Sequence, residues 1–461
     1  MSPADTGASG VIRAGAPAPP SPRPSGFPVP PGSPRSSGDG AAPGPGRDRD
    51  PDATKLHPGG PGYRRLSFAL FASGVATFAL LYSTQALLPA VSAGLGVSPS
   101  AASWTVSGAT LGLALAVLPL SALSERFGRR ALMTASLTVA TLLALAVPFV
   151  PDLGTLIALR TAQGVALAGV PASAMAFLAE EVRAKAVVGA IGLFVAGNSV
   201  GGMAGRVVTG WAAQLWGWRA ALASAAALAV LCLLVFRLLV PRPAHFTPAP
   251  AGPRALLRTV RGHLRDPLLC RLYAIGALFM TVFGGVYTVI GYRLAAEPFG
   301  LPQGVAGSVF LIYLVGTVSS ASSGRLAGRL GRRGALYVAV TTTAAGLLLT
   351  LVDALTAVLA GLVLVTAGFF AGHAVASSSV SRSARTGRAQ ASALYQAAYY
   401  IGSSAGGAVG AVAFHAAGWP GVVALGLTAV TAAAGITVYA TRRALADRRC
   451  RAAHPAAYAG G

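Results

Sequence analysis

Few polar side chains stand inside the apolar stretches of this 461-residue chain; the charged or titratable ones that do are Arg160 and His373, joined by Asn198. A histidine titrates near neutral pH, so His373 is suited either to carry a proton or to sit neutral in a hydrogen bond between packed elements. Arg160 is a permanent cation that faces a polar cavity or snorkels to a surface. Farther along, Tyr395, Gln396, Tyr399 and Tyr400 are spaced so that, on a helix, Tyr395 lies under Tyr399 and Gln396 under Tyr400. Aromatic walls with few charges suit an amphipathic or apolar small molecule, although tyrosine also serves ordinary packing. The chemistry on offer is reversible binding of a small solute, with or without a proton.

Covalent chemistry is not on offer. Asp and Glu occur only at positions 5, 39, 48, 50, 52, 125, 152, 180, 181, 266, 297, 353 and 447, and none is near the middle of an apolar stretch. No HExxH, Ser/His or paired-carboxylate arrangement falls inside those stretches, and no GxxxxGK[ST] loop exists to hold ATP. The three cysteines, Cys232, Cys270 and Cys450, form no CxxC pair, which argues against a zinc site or a disulfide framework. No cofactor, no metal and no enzymatic activity are expected. The net charge of +23 comes from short clusters between apolar runs, with no basic face interleaved with aromatics, so nucleic acid is not an expected partner.

The elements that must position these residues are membrane spans. The chain is 54% hydrophobic and 11% charged, too little charge to cover a soluble protein of this length. Apolar runs of about 20 residues match the bilayer core at about 1.5 Å per residue. They fall at 66–90, 102–123, 130–150, 155–179, 186–210 and 218–240, then at 268–292, 304–324, 334–352, 355–380, 390–414 and 418–440. The expected class is an all-α polytopic membrane protein of twelve transmembrane helices, with bundles at 63–240 and 268–443. Residues 1–62, rich in Pro, Gly and Ser, read as a disordered tail, and 444–461 as a C-terminal tail. The linker 241–267 contains PRALLRTVRGHLRD, whose Leu256, Leu257, Val260 and Leu264 share a helical face opposite its arginines; it is expected to lie on the inner leaflet.

Arginine marks the two sides. Arg126, Arg129 and Arg130 follow span 2, and Arg183 and Lys185 follow span 4. Arg325, Arg329, Arg332 and Arg333 follow span 8, and Arg382, Arg385 and Arg388 follow span 10. The opposite loops hold only Arg206 and Arg219 around the turn after span 5 and Arg293 at the end of span 7. The asymmetry puts both termini in the cytoplasm.

SALSERFGRR (121–130) reappears as GRLAGRLGRR (324–333), an offset of 203 positions. That is a duplication of six spans in the same orientation. Ser121-x-x-x-Glu125-Arg126-x-Gly128-Arg129-Arg130 resembles the loop 2–3 signature of the major facilitator superfamily, with Ser121 in the place of glycine and Glu125 in that of Asp. In the second copy Gly324, Gly331, Arg332 and Arg333 fit, Arg329 takes the place of the first arginine, and Gly328 replaces the acid. Arg160-Thr-Ala-Gln163-Gly164 is similar to the family's span 4 element. GNSVGGMAGR, VIGYRL, GFFAGHAVASS and QASALYQAAYYIGSSAGG resemble the bacterial inner-membrane efflux branch related to arabinose-efflux and acriflavine-sensitivity carriers. The likeness covers about residues 63–443.

The resemblance implies two rocking six-helix halves. It implies a monomeric carrier in the bacterial cytoplasmic membrane that exports a small amphipathic or drug-like solute, driven by protons. A symporter or facilitator importing a sugar or metabolite, or a transport-inactive sensor, are the alternatives. The same resemblance puts Tyr82, Gln85, Arg160, Gln163 and Tyr287 around the solute, beside the embedded Asn198 and the Tyr395 and Tyr399 face; from their own chemistry and position, His373 and Arg160 are the expected proton-coupling residues. It sets Glu125 to cap the start of span 11 near Ala389 and Gln390, and Arg129 to pair with Glu180 or Glu181, closing the cytoplasmic side. The glycine-rich stretch at 197–202 resembles the family's antiporter signature, with Ser199 or its neighbour in the place of a proline.

Overall fold

In lipid a backbone must satisfy its own hydrogen bonds, and an apolar run does so by coiling into a helix. The computed structural model describes residues 55–246, 253–384 and 386–453. Residues 1–54 of the expected tail, 247–252 of the linker, Arg385 and 454–461 lie outside them. In chain order the helices are α1 (Pro61–Leu81), α2 (Leu88–Leu95), α3 (Pro99–Phe127), α4 (Arg129–Ala146), α5 (Leu153–Leu167), α6 (Gly169–Glu181) and α7 (Ala184–Leu239). They continue as α8 (Pro253–Arg265), α9 (Pro267–Ala295), α10 (Gln303–Gly307), α11 (Tyr313–Leu349), α12 (Leu355–Ser383) and α13 (Arg388–Ala453).

Three helices are long enough to cross twice, and each contains a break. At about 1.5 Å per residue, the 56 residues of α7 would reach far beyond a bilayer core of about 30 Å. The breaks fall at Gly217 in α7, at Gly331 in α11 and at Ala417–Gly418 in α13. Division at these points, with α5 and α6 read as one interrupted span, gives twelve membrane-length segments among the described residues. The first span departs from 66–90: α1 stops at Leu81 and a separate α2 carries the chain onward. The last helix runs to Ala453, past the expected bundle end at 443, because its Ala, Leu and Arg favour helix even where polarity ends the membrane run.

The duplicated decapeptides share one backbone geometry. Gly128 (φ 96°, ψ 143°) and Gly331 (φ 71°, ψ 166°) hold equivalent positions and turn the chain in a region that side chains disfavour. At the other end, Gly217 and Gly418 each precede a buried indole, Trp218 and Trp419. Arg219 lies 4.2 Å from the Trp218 ring and Arg293 lies 5.0 Å from that of Trp419.

Glycine also sets how closely helices approach. A Cβ at Gly201 would meet the Val75 carbonyl oxygen where α7 crosses α1, and one at Gly406 would meet that of Thr281 where α13 crosses α9. Leu56 bridges to Val182, its N–H donating to the Glu181 carbonyl at 2.9 Å. Leu56, inside the segment expected to be tail, is therefore tied to the first bundle. In α8, Val260 packs on the bundle and His263 is buried with Nε2 3.2 Å from the Gly387 carbonyl oxygen. Leu257 and Leu264 stay outside, 66% and 54% exposed.

Candidate functional site

The two ends of the molecule differ. One carries the decapeptide turns at Gly128 and Gly331; the other, the far end, carries the turns at Gly96, Gly217, Gly300 and Gly418. Among the described residues, every side-chain hydrogen bond between 63–240 and 268–443 lies in the far half. Ser92 Oγ meets Tyr292 Oη at 2.6 Å, and Gln85 Nε2 donates to Thr288 Oγ1 at 3.4 Å. Trp211 Nε1 donates to Ser308 Oγ at 3.1 Å, and the Gly304 N–H to Gln214 Oε1 at 2.9 Å. Gln303 donates to the Ala86 carbonyl, and Ser404 Oγ to that of Ser107 at 2.8 Å.

Arg160 does not snorkel to a surface. It is fully buried, and its guanidinium donates to the carbonyls of Leu80 (2.6 Å), Leu81 (2.5 Å) and Thr105 (3.2 Å), and to Gln163 Oε1. Gln163 in turn donates to the Ala140 carbonyl at 3.0 Å. The carbonyls of Leu80 and Leu81 lie where α1 stops; that of Leu80 also accepts the Ser83 N–H at 3.2 Å and Oγ at 3.1 Å, so Arg160 caps that helix end from a neighbouring helix together with Ser83. The break after Leu81 and the buried cation explain each other.

A second embedded cation escaped the sequence reading. Arg206 was assigned to a loop, yet it is 2% exposed within α7. Its Nε donates to Gln85 Oε1 at 2.7 Å and another nitrogen donates to the Gly202 carbonyl. Its guanidinium carbon lies 4.2 Å from the Tyr82 ring, 4.9 Å from Phe310 and 5.0 Å from Tyr313. The signal that would have found it is simple: position 206 falls inside the fifth span as delimited from the sequence. Tyr82 and Gln85, expected at the solute, both serve Arg206.

The remaining candidates form an aromatic cluster in the second half. Tyr395 Oη lies 3.0 Å from His373 Nδ1 and 3.3 Å from the His373 carbonyl oxygen. The imidazole stacks on Phe369 at 6.0 Å and meets Tyr399 at 4.8 Å. Tyr287 Oη meets Thr366 Oγ1 at 2.6 Å, and its ring lies 5.0 Å from Tyr313. Asn198 stands apart from this group, at the α1–α7 crossing beside Gly74, its buried Oδ1 without a hydrogen bond.

At the decapeptide end Arg129 Nε donates to Glu180 Oε1 at 3.1 Å, and Nη1 to Ser124 Oγ at 2.5 Å. Glu181 goes elsewhere: it accepts the backbone N–H groups of Ala244 and His245, both at 2.9 Å, and His245 Nδ1 at 3.1 Å. Among the described residues no hydrogen bond joins the Glu125 side chain to the start of α13, so the expected cap on span 11 is not made here. Arg126 covers the adjacent Phe127 ring at 5.3 Å, and Arg130 is the second residue of α4. In the second copy, a pocket of about 420 Å³ is lined by Ser319, Ser322, Ser323, Arg325, Leu326, Arg329 and Ala371. Arg332 and Arg333 follow Gly331 at its turn, and Gly324 has open space around its α-carbon. No group of three His, Cys, Asp or Glu side chains suited to a metal comes together among the described residues.

The pattern that defines the Major Facilitator Superfamily matches residues 66–385. An uncharacterised MFS-type transporter, YybF, of Bacillus subtilis (strain 168) is 37% identical over 372 residues, covering 81% of this chain and 92% of the relative. The inner membrane transport protein YnfM of Escherichia coli (strain K12) is 37% identical over 364 residues, covering 79% and 87%. Among solved structures, a bacterial homologue of the human lysosomal transporter Spinster, inward-facing and unoccupied, superposes with a TM-score of 0.67 at 15% identity, covering 84% of this chain and 98% of that one. The nucleoside transporter NupG gives 0.66 at 13% identity, covering 81% and 99%. At such identities the superpositions speak for the fold alone.

Proposed function

The chain belongs to the major facilitator superfamily, and from that premise we propose that it exports small amphipathic solutes across a bacterial cytoplasmic membrane in exchange for protons. It is a multi-pass membrane transporter; its relatives are named as transporters, not enzymes. The observation that carries the mechanism is the asymmetry between the ends. Among the described residues the first and second halves are hydrogen-bonded to each other only in the far half, while at the decapeptide end no hydrogen bond closes Glu125 onto span 11. With the arginine-rich loops on the cytoplasmic side, that is a carrier open inward. Breaking the far-end bonds and closing Glu125 onto span 11 gives the outward-open state, with the two halves rocking about the solute.

His373 is the proton carrier in this reading. It is the one titratable imidazole within the spans' aromatic cluster, and Tyr395 supplies a hydroxyl through which a proton can pass. The absence of embedded carboxylates favours one rival, a facilitator without proton exchange. Energised inverted vesicles with a pH-sensitive dye separate them. Adding a transported solute is expected to release protons in the wild type and not in His373→Gln; solute flux without any proton movement would leave the facilitator.

A further inference from the structure

Arg206 differs from Arg160 in how its charge is answered. Arg160 is directed at three backbone carbonyls and Gln163. Arg206 has the Gln85 oxygen, one carbonyl and three ring faces, and no carboxylate. Every Asp and Glu of the chain lies away from the middle of the spans, so none can reach it there.

The rings belong to different halves. Tyr82 follows α1, on the same half as Arg206; Phe310 and Tyr313 come from the second half. Opening the far end therefore withdraws two of the three rings from the guanidinium. A cation uncovered in a low-dielectric site calls for an anion. Beside it, the Tyr313 hydroxyl is buried and meets no hydrogen-bond partner among the described residues, a donor without an acceptor. The pocket at the decapeptide end repeats the preference: three serines and two arginines line it and no acid does.

We infer that the transported solute is an organic anion, an amphipathic carboxylate, and that Arg206 with the Tyr313 hydroxyl holds its carboxylate. The cation exchanges partners during the cycle: ring faces while the far end is closed, then the carboxylate of a solute already loaded from the cytoplasmic side as the far end parts. The inference rests on the carrier reading and narrows it. It also accounts for spans without a carboxylate: an inside-negative potential already drives an anion outward, and a negative side chain in the path would repel it.

The test uses full-length protein, purified in detergent, with two fluorescent probes of similar bulk: pyrenebutyrate, a carboxylate, and rhodamine 6G, a cation. Pyrenebutyrate is expected to bind, with affinity weakened roughly thirty-fold or more in Arg206→Gln, as for loss of one member of a buried charge pair. Tyr313→Phe keeps the ring and removes the hydroxyl; a loss of about three- to ten-fold is expected from one hydrogen bond. Arg206→Lys should recover part of the affinity, which a misfolded variant would not. Pyrenebutyrate binding unchanged in both Arg206→Gln and Tyr313→Phe, or rhodamine 6G bound in preference, overturns the inference and leaves the carrier standing. Binding of neither probe, together with no flux of any solute in vesicles, overturns the carrier reading and the inference with it.

Discussion

A guanidinium inside a membrane has to be answered by something, and the two embedded arginines are answered in opposite ways. Arg160 is structural: its fork closes the end of α1 and ties α5 to α1 and α3. Replacing it with Gln should leave the Leu81 carbonyl short of a donor, at about 1–3 kcal/mol, and strip those of Leu80 and Thr105 of one donor. Arg160→Lys should rescue little, because one ammonium cannot reach around the same fork. The expected outcome in thermal unfolding of the detergent-solubilised protein is a large fall in midpoint for both; a stable, transport-dead Arg160→Gln would move Arg160 into the solute path. The sequence showed Arg160 to be embedded but not its targets, which are backbone carbonyls on two neighbouring helices. Gln85 and Tyr82 were legible as inward-facing by resemblance; their actual partner, Arg206, was hidden by a loop assignment that contradicted the span boundaries. His373 and Tyr395 were each singled out, and the structure joins them.

At the scale of elements, the turns depend on glycines whose neighbours could tolerate a side chain. Gly331 and Gly128 need positive φ, so Gly331→Ala or Gly128→Ala should cost about 1–2 kcal/mol in backbone strain. Gly328 lies in the same decapeptide with helical geometry and nothing near its α-carbon, and Gly328→Ala should stabilise by about 0.4–1 kcal/mol. Opposite shifts in unfolding midpoint for the two substitutions are expected; equal shifts would mean the turn is not held by that conformation. Most of the element plan was legible, because apolar runs of bilayer length leave helix as the only satisfied backbone. What was missed is where a helix pauses within a run. The stop at Leu81 is followed by Tyr82-Ser83-Thr84-Gln85 and Pro89, and the interruption at Ala168 by Gly169 and Pro171, signals that the apolar-run reading passed over. The N-terminal anchor at Leu56 was missed for a different reason, since a single residue paired to Val182 has no periodicity to read.

At the scale of the whole molecule, the duplicated decapeptides become two equivalent turns at one end, and the breaks at Gly217 and Gly418 become two equivalent turns at the other. Among the described residues, side-chain hydrogen bonds between the halves lie in the half of the molecule toward the second pair. That arrangement is one of two states a rocking carrier must visit, and the central claim is that the other exists. The most direct measurement places spin labels at two exposed pairs in reconstituted protein. Leu215 (61% exposed) and Val305 (41%) report the far end; Leu123 (39%) and Leu330 (53%) report the decapeptide end. Adding a transported solute and a proton gradient is predicted to lengthen the first distance while shortening the second. Two distances that stay fixed, or that change in the same sense, would contradict alternating access in this protein.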